Sequence, residues 1–527
     1  MTRAGAGALV VIALVAGLTL RFVRLDVQPM HNDEANQAVK FGALLERGEY
    51  RYDVHDHHGP TLYYLSLPAA WMRGQTTFAS LDEYTLRGVT AAFGAATILL
   101  LPLLSPGVGR TAVVAGAFLA ALSPALVFYS RMFIQEALFA SFALAFVIAL
   151  GRLAMGGGLA WSAMAGVAAG LAVATKETSV IVLPAALVAC AIAWWSLTPA
   201  ERPVLSGGHW RRVALLGLSA AAAVAALFYS SFLADPGGVL APFQAARTYL
   251  DRGVDPGSHA HPWHFYLGVL AYSSAGGLRW SEALVLGLAA AGALTAWGWP
   301  RGTSSNRTAT TRPGRVFWAR YFTFYVVIVT ALFSAIPYKT PWNLMPFYIG
   351  MTVLAGIGFA ALVRTTSSRV MRGALVGGFV IASGQLGWQA WRASVIYASD
   401  PRNPYVYAHT VPDAVRMATR IRDLAALHPD GADMQVSVIA PPHEQWPLPW
   451  YLRTLPHVGY WAAPGDALAL RAPVIVVSTD HAEALDGALG DRYVSEFYGL
   501  RAEVLLTLYI ERALWERFLS RVAEPGA

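Results

Sequence analysis

The chain has 527 residues, 56% of them hydrophobic and 13% charged. Soluble domains carry about a quarter charged residues, so the composition excludes a soluble globular enzyme and points to a membrane protein. The net charge of +7 comes from arginines scattered over short segments between apolar runs, which signals orientation and excludes a basic nucleic-acid-binding face.

Residues 5–20 have the length of a secretory leader core, but Arg21 and Arg24 follow them in place of a small-x-small cleavage site. They read as an uncleaved first span. Apolar runs long enough to cross ~30 Å of hydrocarbon then recur. Spans are expected near 5–23, 84–104, 111–128, 133–151, 160–175, 178–195, 213–233, 282–299, 318–336, 342–362 and 373–390. The single cysteine, Cys190, lies inside the sixth and reads as a buried inert thiol. Of the 16 Asp and Glu before residue 391, only Glu201 falls among the arginine-rich connections. The positive-inside rule then puts the N-terminus inside and Asp33-Glu34 outside.

Residues 24–83 form the first outer loop, with an amphipathic interfacial helix expected over Asn36–Leu45 and a second short helix over 61–72. Residues 234–281 form another outer loop, rich in Gly, Pro and aromatics, and 300–317 an inner one. After about residue 391 the texture changes. Helix-like 412–427 alternates with strand-like Gln435–Ala440, Pro473–Ser478 and Leu505–Glu511. The fold expected is mainly α: a polytopic membrane bundle (1–390) of about 11 spans plus interfacial helices, with a small extracytoplasmic α/β domain (391–527).

The chemistry-bearing groups cluster in the outer turns. Asp33 and Glu34 sit at the mouth of the first span, where a carboxylate is costly unless used. One can serve as general base toward an acceptor hydroxyl; the plainer account makes Asp33 the N-cap of the following helix. The outer turn between the third and fourth spans, Tyr129 to Glu136, holds Arg131 and Glu136. Lys176-Glu177 and Tyr338-Lys339-Thr340-Pro341-Trp342 occupy two further outer turns. Each cation alone fits an interfacial anchor. As a set, Arg131, Lys176 and Lys339 suit a lipid phosphate head group whose tail lies between the spans.

His55, Asp56, His57 and His58 match no closed zinc spacing and read better as substrate contacts or loop structure. His259, His261 and His264 complete such a site only across loops. Trp263, Trp280, Trp342 and Tyr272 suit an interfacial belt better than a sugar platform. Neither a P-loop nor a strand-borne G-x-G-x-x-G is present, so nothing cradles a soluble nucleotide. A substrate activated for use outside must arrive on a carrier, and the expected one is a polyprenyl-phosphate sugar.

These residues resemble the GT-C membrane glycosyltransferases, which include the protein mannosyltransferases and aminoarabinose transferases. The D-E-A run at 33–35, R-Y-D…H-G-P over 51–60, Y-K-T-P-W-N over 338–343 and W-P-L-P-W-Y-L-R over 446–453 look closest to the multi-spanning "flippase activity-associated" proteins. The resemblance implies a polyprenyl-phosphate-sugar-dependent transferase. Asp33 then matches the catalytic acidic position, Glu34 its neighbour, and Glu136 the acidic position of the second outer loop. Some GT-C enzymes bind a divalent metal and others do not, so the resemblance leaves a metal open.

The expected function is transfer of a sugar to a lipid, glycan or protein acceptor on the outer face of the cell membrane. Asp33, Glu34 and Glu136 are the catalytic candidates; Arg131, Lys176, Lys339, His58, Tyr338 and Trp342 are the substrate-binding ones. His443, Glu444 and Trp446 offer acceptor contacts from the C-terminal domain. The alternative is a non-enzymatic accessory or translocation-associated protein for lipid-linked glycans.

Overall fold

A computed structural model describes residues 1–48, 50–54, 58–202, 207–244, 257–298, 313–465 and 469–523. His55, Asp56 and His57 lie outside the described residues.

Each of the eleven apolar runs coincides with a helix or a bent helix pair. α1 (Arg3–Phe22) buries Ala6, Val10, Ala13, Gly17 and Arg21, a single face at helical spacing. Two short helices, α2 (Asn32–Arg47) and α3 (Thr61–Met72), precede α4 (Glu83–Leu100). A Cβ on Gly17 of α1 would stand 2.6 Å from Ile98 of α4, so the missing side chain lets these helices meet. The third run breaks at Ser123 into α5 (Arg110–Leu122) and α6 (Pro124–Ser130), bent by 57°. Ser123 caps α6 and Pro124 occupies its first turn, which explains the restart.

α7 (Glu136–Ala154), α8 (Leu159–Val173), α9 (Ser179–Trp195) and α10 (Gly207–Tyr229) follow. α11 (Ala283–Thr295), α12 (Pro313–Ala335), α13 (Met345–Thr365) and α14 (Arg369–Trp391) complete the bundle. Among the described residues, seven helical stretches are individually long and apolar enough to cross a membrane, and the bent pair makes eight. α8, α9 and α11 are shorter apolar helices.

The C-terminal unit is a five-stranded sheet in the order β4-β3-β5-β7-β6. β3 (Val436–Ile439) runs parallel to β4 (Val458–Trp461) and β5 (Val474–Ser478). β7 (Val504–Glu511) is antiparallel to both β5 and β6 (Tyr493–Arg501). β1 (Ser273–Ala275) and β2 (Leu278–Trp280) pair separately in the loop before α11. α15 (Pro412–Ala425) buries Ala414, Met417, Ala418, Ile421 and Leu424 against the sheet side. One apolar core runs from the spans into this unit, joining Leu86 and Phe133 to Trp450, Val436 and Leu506.

Candidate functional site

The site begins at the first turn of α2. The N-cap is His31, and the expected Asp33 cap is corrected: the His31 ring accepts from the Asp33 amide at 3.1 Å, and Glu34 accepts from the His31 amide at 2.9 Å. Glu34 and Asp33 are a helical step apart and so point to different surroundings. Glu34 is fully buried and takes a bidentate pair from Arg87 of α4, at 2.7 Å for both contacts. The Phe133 amide adds a bond at 2.7 Å. Arg87 donates its remaining N–H groups to Leu25, Gln28 and Pro29 carbonyls. Glu34 therefore joins three segments and has no free face for substrate. Asp33 keeps its side chain 51% exposed, 3.8 Å from the His31 ring nitrogen.

Around Asp33 stands a wall of rings from three distant segments. His31 packs against Trp342 at 5.5 Å and His409 at 4.9 Å. Its Nε2 lies 3.1 Å from the Tyr407 carbonyl. The Tyr407 hydroxyl lies 2.8 Å from His259 Nδ1 and 3.4 Å from His261 Nε2. A hydroxyl has one proton, so at most one imidazole accepts from it and the other must donate, which couples the two tautomers. Burial lowers the His259 pKa, while the Asp33 charge pulls the other way. Burial, then His259 and Lys339, lower that of His261.

Lys339 is buried, and its ammonium bonds the His261 carbonyl at 3.0 Å and the Ile336 carbonyl. Its amide bonds His259 at 3.0 Å, and Ala260 bridges Tyr338 in antiparallel fashion. Tyr338 stacks obliquely on His259 at 4.7 Å. Thus 257–261 and 336–342 form one clasp, with Trp342 turned toward His31, Tyr129 and Tyr407.

The next residue, Asn343, leads to a second cluster. Lys176 donates to Glu136 and, at 2.8 Å, to the Asn343 side-chain oxygen. Both charged residues are buried, and Glu136 Oε2 has no hydrogen-bond partner among the described residues. Glu177 turns away to His58 Nδ1 at 2.6 Å and the Tyr52 hydroxyl at 3.2 Å. Gly59 is obligatory beside it, since a Cβ there would come within 2.1 Å of the Ala174 carbonyl. Tyr52, His58 and Gly59 are thereby docked on the α8–α9 turn.

Arg131 does not join these groups. It is buried and caps the end of α1, donating to Leu20, Arg21, Val23 and Arg24 carbonyls and to Ser394. Both Nη groups are thus engaged by backbone carbonyls. Trp280 is no belt residue: it is buried, with its indole N–H on the Arg402 carbonyl at 3.1 Å and Arg392 over its ring. Trp263 and Tyr272 are exposed. His264 caps the short helix Phe265–Ala271, and His443 stands exposed with its carbonyl on Arg501. Among the described residues, no three His, Cys, Asp or Glu side chains converge as metal ligands.

Four further residues of the site, His31, Arg87, Tyr407 and His409, are not among the candidates singled out from the sequence. His31 is an uncommon N-cap, although Glu34 three residues on is the capping-box partner. Arg87 sits in a span, where an arginine signals a buried partner. Tyr407 and His409 lie in an aperiodic stretch after α14.

Residues 11–233 match the family described as dolichyl-phosphate-mannose-protein mannosyltransferase. No curated protein matches the chain. Among solved structures, ArnT from Cupriavidus metallidurans bound to undecaprenyl phosphate matches at 16% identity and a TM-score of 0.59, covering 98% of this chain and 99% of that one. The Archaeoglobus fulgidus oligosaccharyltransferase tethered to an acceptor peptide matches at 14% identity and a TM-score of 0.58, covering 98% and 77%. The same archaeal enzyme, AglB, in complex with an inhibitory peptide and a dolichol-phosphate, matches at 14% identity and a TM-score of 0.55, covering 97% and 77%. The chain is a multi-pass membrane protein with the GT-C glycosyltransferase fold, and its residues 11–233 match the protein-mannosyltransferase family.

Proposed function

We propose that the protein is an inverting glycosyltransferase that moves a sugar from a polyprenyl-phosphate donor to an acceptor hydroxyl at the outer membrane surface. The observation that carries this reading is the division of the acidic pair. Glu34 is sealed under Arg87, while Asp33 stands half-exposed beside a wall of imidazoles and aromatic rings. Asp33 removes the acceptor proton. The acceptor oxygen bonds to the anomeric carbon as the carbon–oxygen bond to phosphate breaks, and polyprenyl phosphate leaves with that electron pair.

The donor phosphate is held by the clasp of Tyr338, Lys339, His259 and His261, together with Lys176. An ammonium has three N–H donors. Lys176 and Lys339 each use two in the bonds described, so one remains on each for phosphate. Losing one such contact costs on the order of 10²–10³ in rate. Glu136 fixes Lys176, His58 and Trp342 shape the walls, and Glu34 is a positioning residue. ArnT bound to undecaprenyl phosphate and AglB bound to dolichol-phosphate share this fold, which supports a lipid-phosphate carrier.

The test reconstitutes the full chain in liposomes with a panel of polyprenyl-phosphate hexoses and pentoses and a glycolipid acceptor extract. Glycosylated product formed together with free polyprenyl phosphate supports the reading. Transbilayer movement of the lipid with no product from any donor contradicts it and favours the accessory role.

A further inference from the structure

A cavity of about 540 Å³, lined by neither Asp33 nor Glu34, lies between the first loop and the C-terminal unit. This is within the range of small-molecule sites, about 300–1,000 Å³. One wall is the outward stripe of α15: Val415, Arg416, Thr419, Arg420 and Asp423 recur at helical spacing. The opposite wall is Asp26 and Pro29, with Glu83 from the first turn of α4. Tyr451 and Tyr498 add phenol rings.

Two short stretches tie this cavity to the site. The Met30 amide donates to the Tyr451 hydroxyl at 2.7 Å, and the Met30 carbonyl accepts from Thr410 at 2.7 Å. Pro29 is four residues from Asp33, a reach of at most about 14 Å. Pro412 likewise closely follows His409, which packs on His31. A ligand lying in the cavity therefore reaches the acidic residue across one seam of chain.

The lining selects the ligand. The two guanidiniums in the lining, Arg416 and Arg420, are already paired by Asp413 and Glu496, so no strong positive field awaits an anion. Donors and acceptors are interspersed, with Thr419 and Asp423 exposed and a flat apolar surface at the partly exposed Tyr498. Hydroxyl groups both donate and accept, and a sugar ring adds an apolar face. We infer that the cavity between α15 and residues 26–29 binds the saccharide portion of a glycan acceptor, remote from the hydroxyl that Asp33 activates. This rests on the transferase reading above.

The test is saturation-transfer NMR on the detergent-solubilised full chain, with α-mannobiose, chitobiose, maltotriose and a Ser/Thr-rich peptide as probes. Thr419→Trp fills the cavity from an exposed position, and Asp423→Lys changes its charge without touching the core. Binding of a neutral saccharide that both variants weaken by about tenfold or more supports the inference. Saccharide binding that neither variant alters overturns it, as does binding of the peptide alone. Absence of saccharide binding in a wild-type protein that transfers sugar sinks the cavity assignment only. Saccharide binding without transfer from any donor sinks the transferase reading and leaves the site standing.

Discussion

Glu34 and Arg87 form a fully buried, bidentate ion pair across 53 residues of sequence, with both contacts at 2.7 Å. The adjacent Asp33 is half-exposed. Two neighbouring carboxylates thus divide the work, one holding the loop and one facing the open site. The division gives the first prediction. Glu34→Gln leaves Arg87 charged, buried and unpaired, and is expected to destabilise by about 3–5 kcal/mol. Asp33→Asn is expected to leave the unfolding midpoint nearly unchanged. Thermal unfolding of the two purified variants in detergent separates them, and equal midpoints would refute the division.

Arg131 caps the end of α1 through backbone carbonyls, and we propose a structural role for it. Arg131→Lys loses most of its bonds to the carbonyls at the end of α1. Charge-assisted hydrogen bonds contribute about 1.5–3 kcal/mol each, so a loss of more than about 2 kcal/mol of stability is expected. The KM for the lipid donor should not rise. A KM raised tenfold at unaltered stability would return Arg131 to the substrate.

Lys176 and Glu136 should behave as one unit. Lys176→Met alone strands a buried carboxylate, and Glu136→Gln alone strands a buried ammonium, at a cost of about 3–5 kcal/mol each. The double variant should recover most of this, so a double-mutant cycle in chemical denaturation should show strong coupling. Additive losses would mean that the two side chains act separately.

Acid should destabilise the clasp. Burial, then His31, holds the His409 pKa well below its ordinary 6.5, and burial lowers His259 and His261 too. A lowered histidine pKa means that the unfolded chain takes up the proton first as pH falls. The stability these groups contribute is complete above about 6.5 and is lost as pH drops below it. Among the described residues the His409 Nε2 has no partner, and His409→Leu removes a titrating group at the cost of the bond its Nδ1 accepts from the Tyr407 amide at 2.9 Å. The slope of unfolding midpoint against pH between 7 and 5 should flatten in that variant. An unchanged slope would show that the acid sensitivity arises elsewhere.

The spans were legible because a hydrocarbon core demands long apolar runs, and each run became a helix or the bent α5–α6 pair. Three strands of the C-terminal sheet were legible for a related reason: β3, β5 and most of β7 are buried apolar runs. β4 contains Gly459 and is half-buried throughout, while β6 mixes charged and aromatic residues, so neither carried a clean period. In the site, the types of residue were readable but their engagements were not. Which acid of the Asp33-Glu34 pair turns inward depends on Arg87, and the fate of Arg131 depends on where α1 ends. Tyr407 meets His259 across 148 residues, a contact set by tertiary packing alone.

The most direct measurement is single-turnover sugar transfer from a preloaded polyprenyl-phosphate donor, comparing the wild type with Asp33→Asn at matched stability. Transfer by the variant should fall by about 10²–10⁴, the range for loss of a general base, while donor binding stays intact. Transfer at the wild-type rate would contradict the role of Asp33 and, with it, the proposed mechanism.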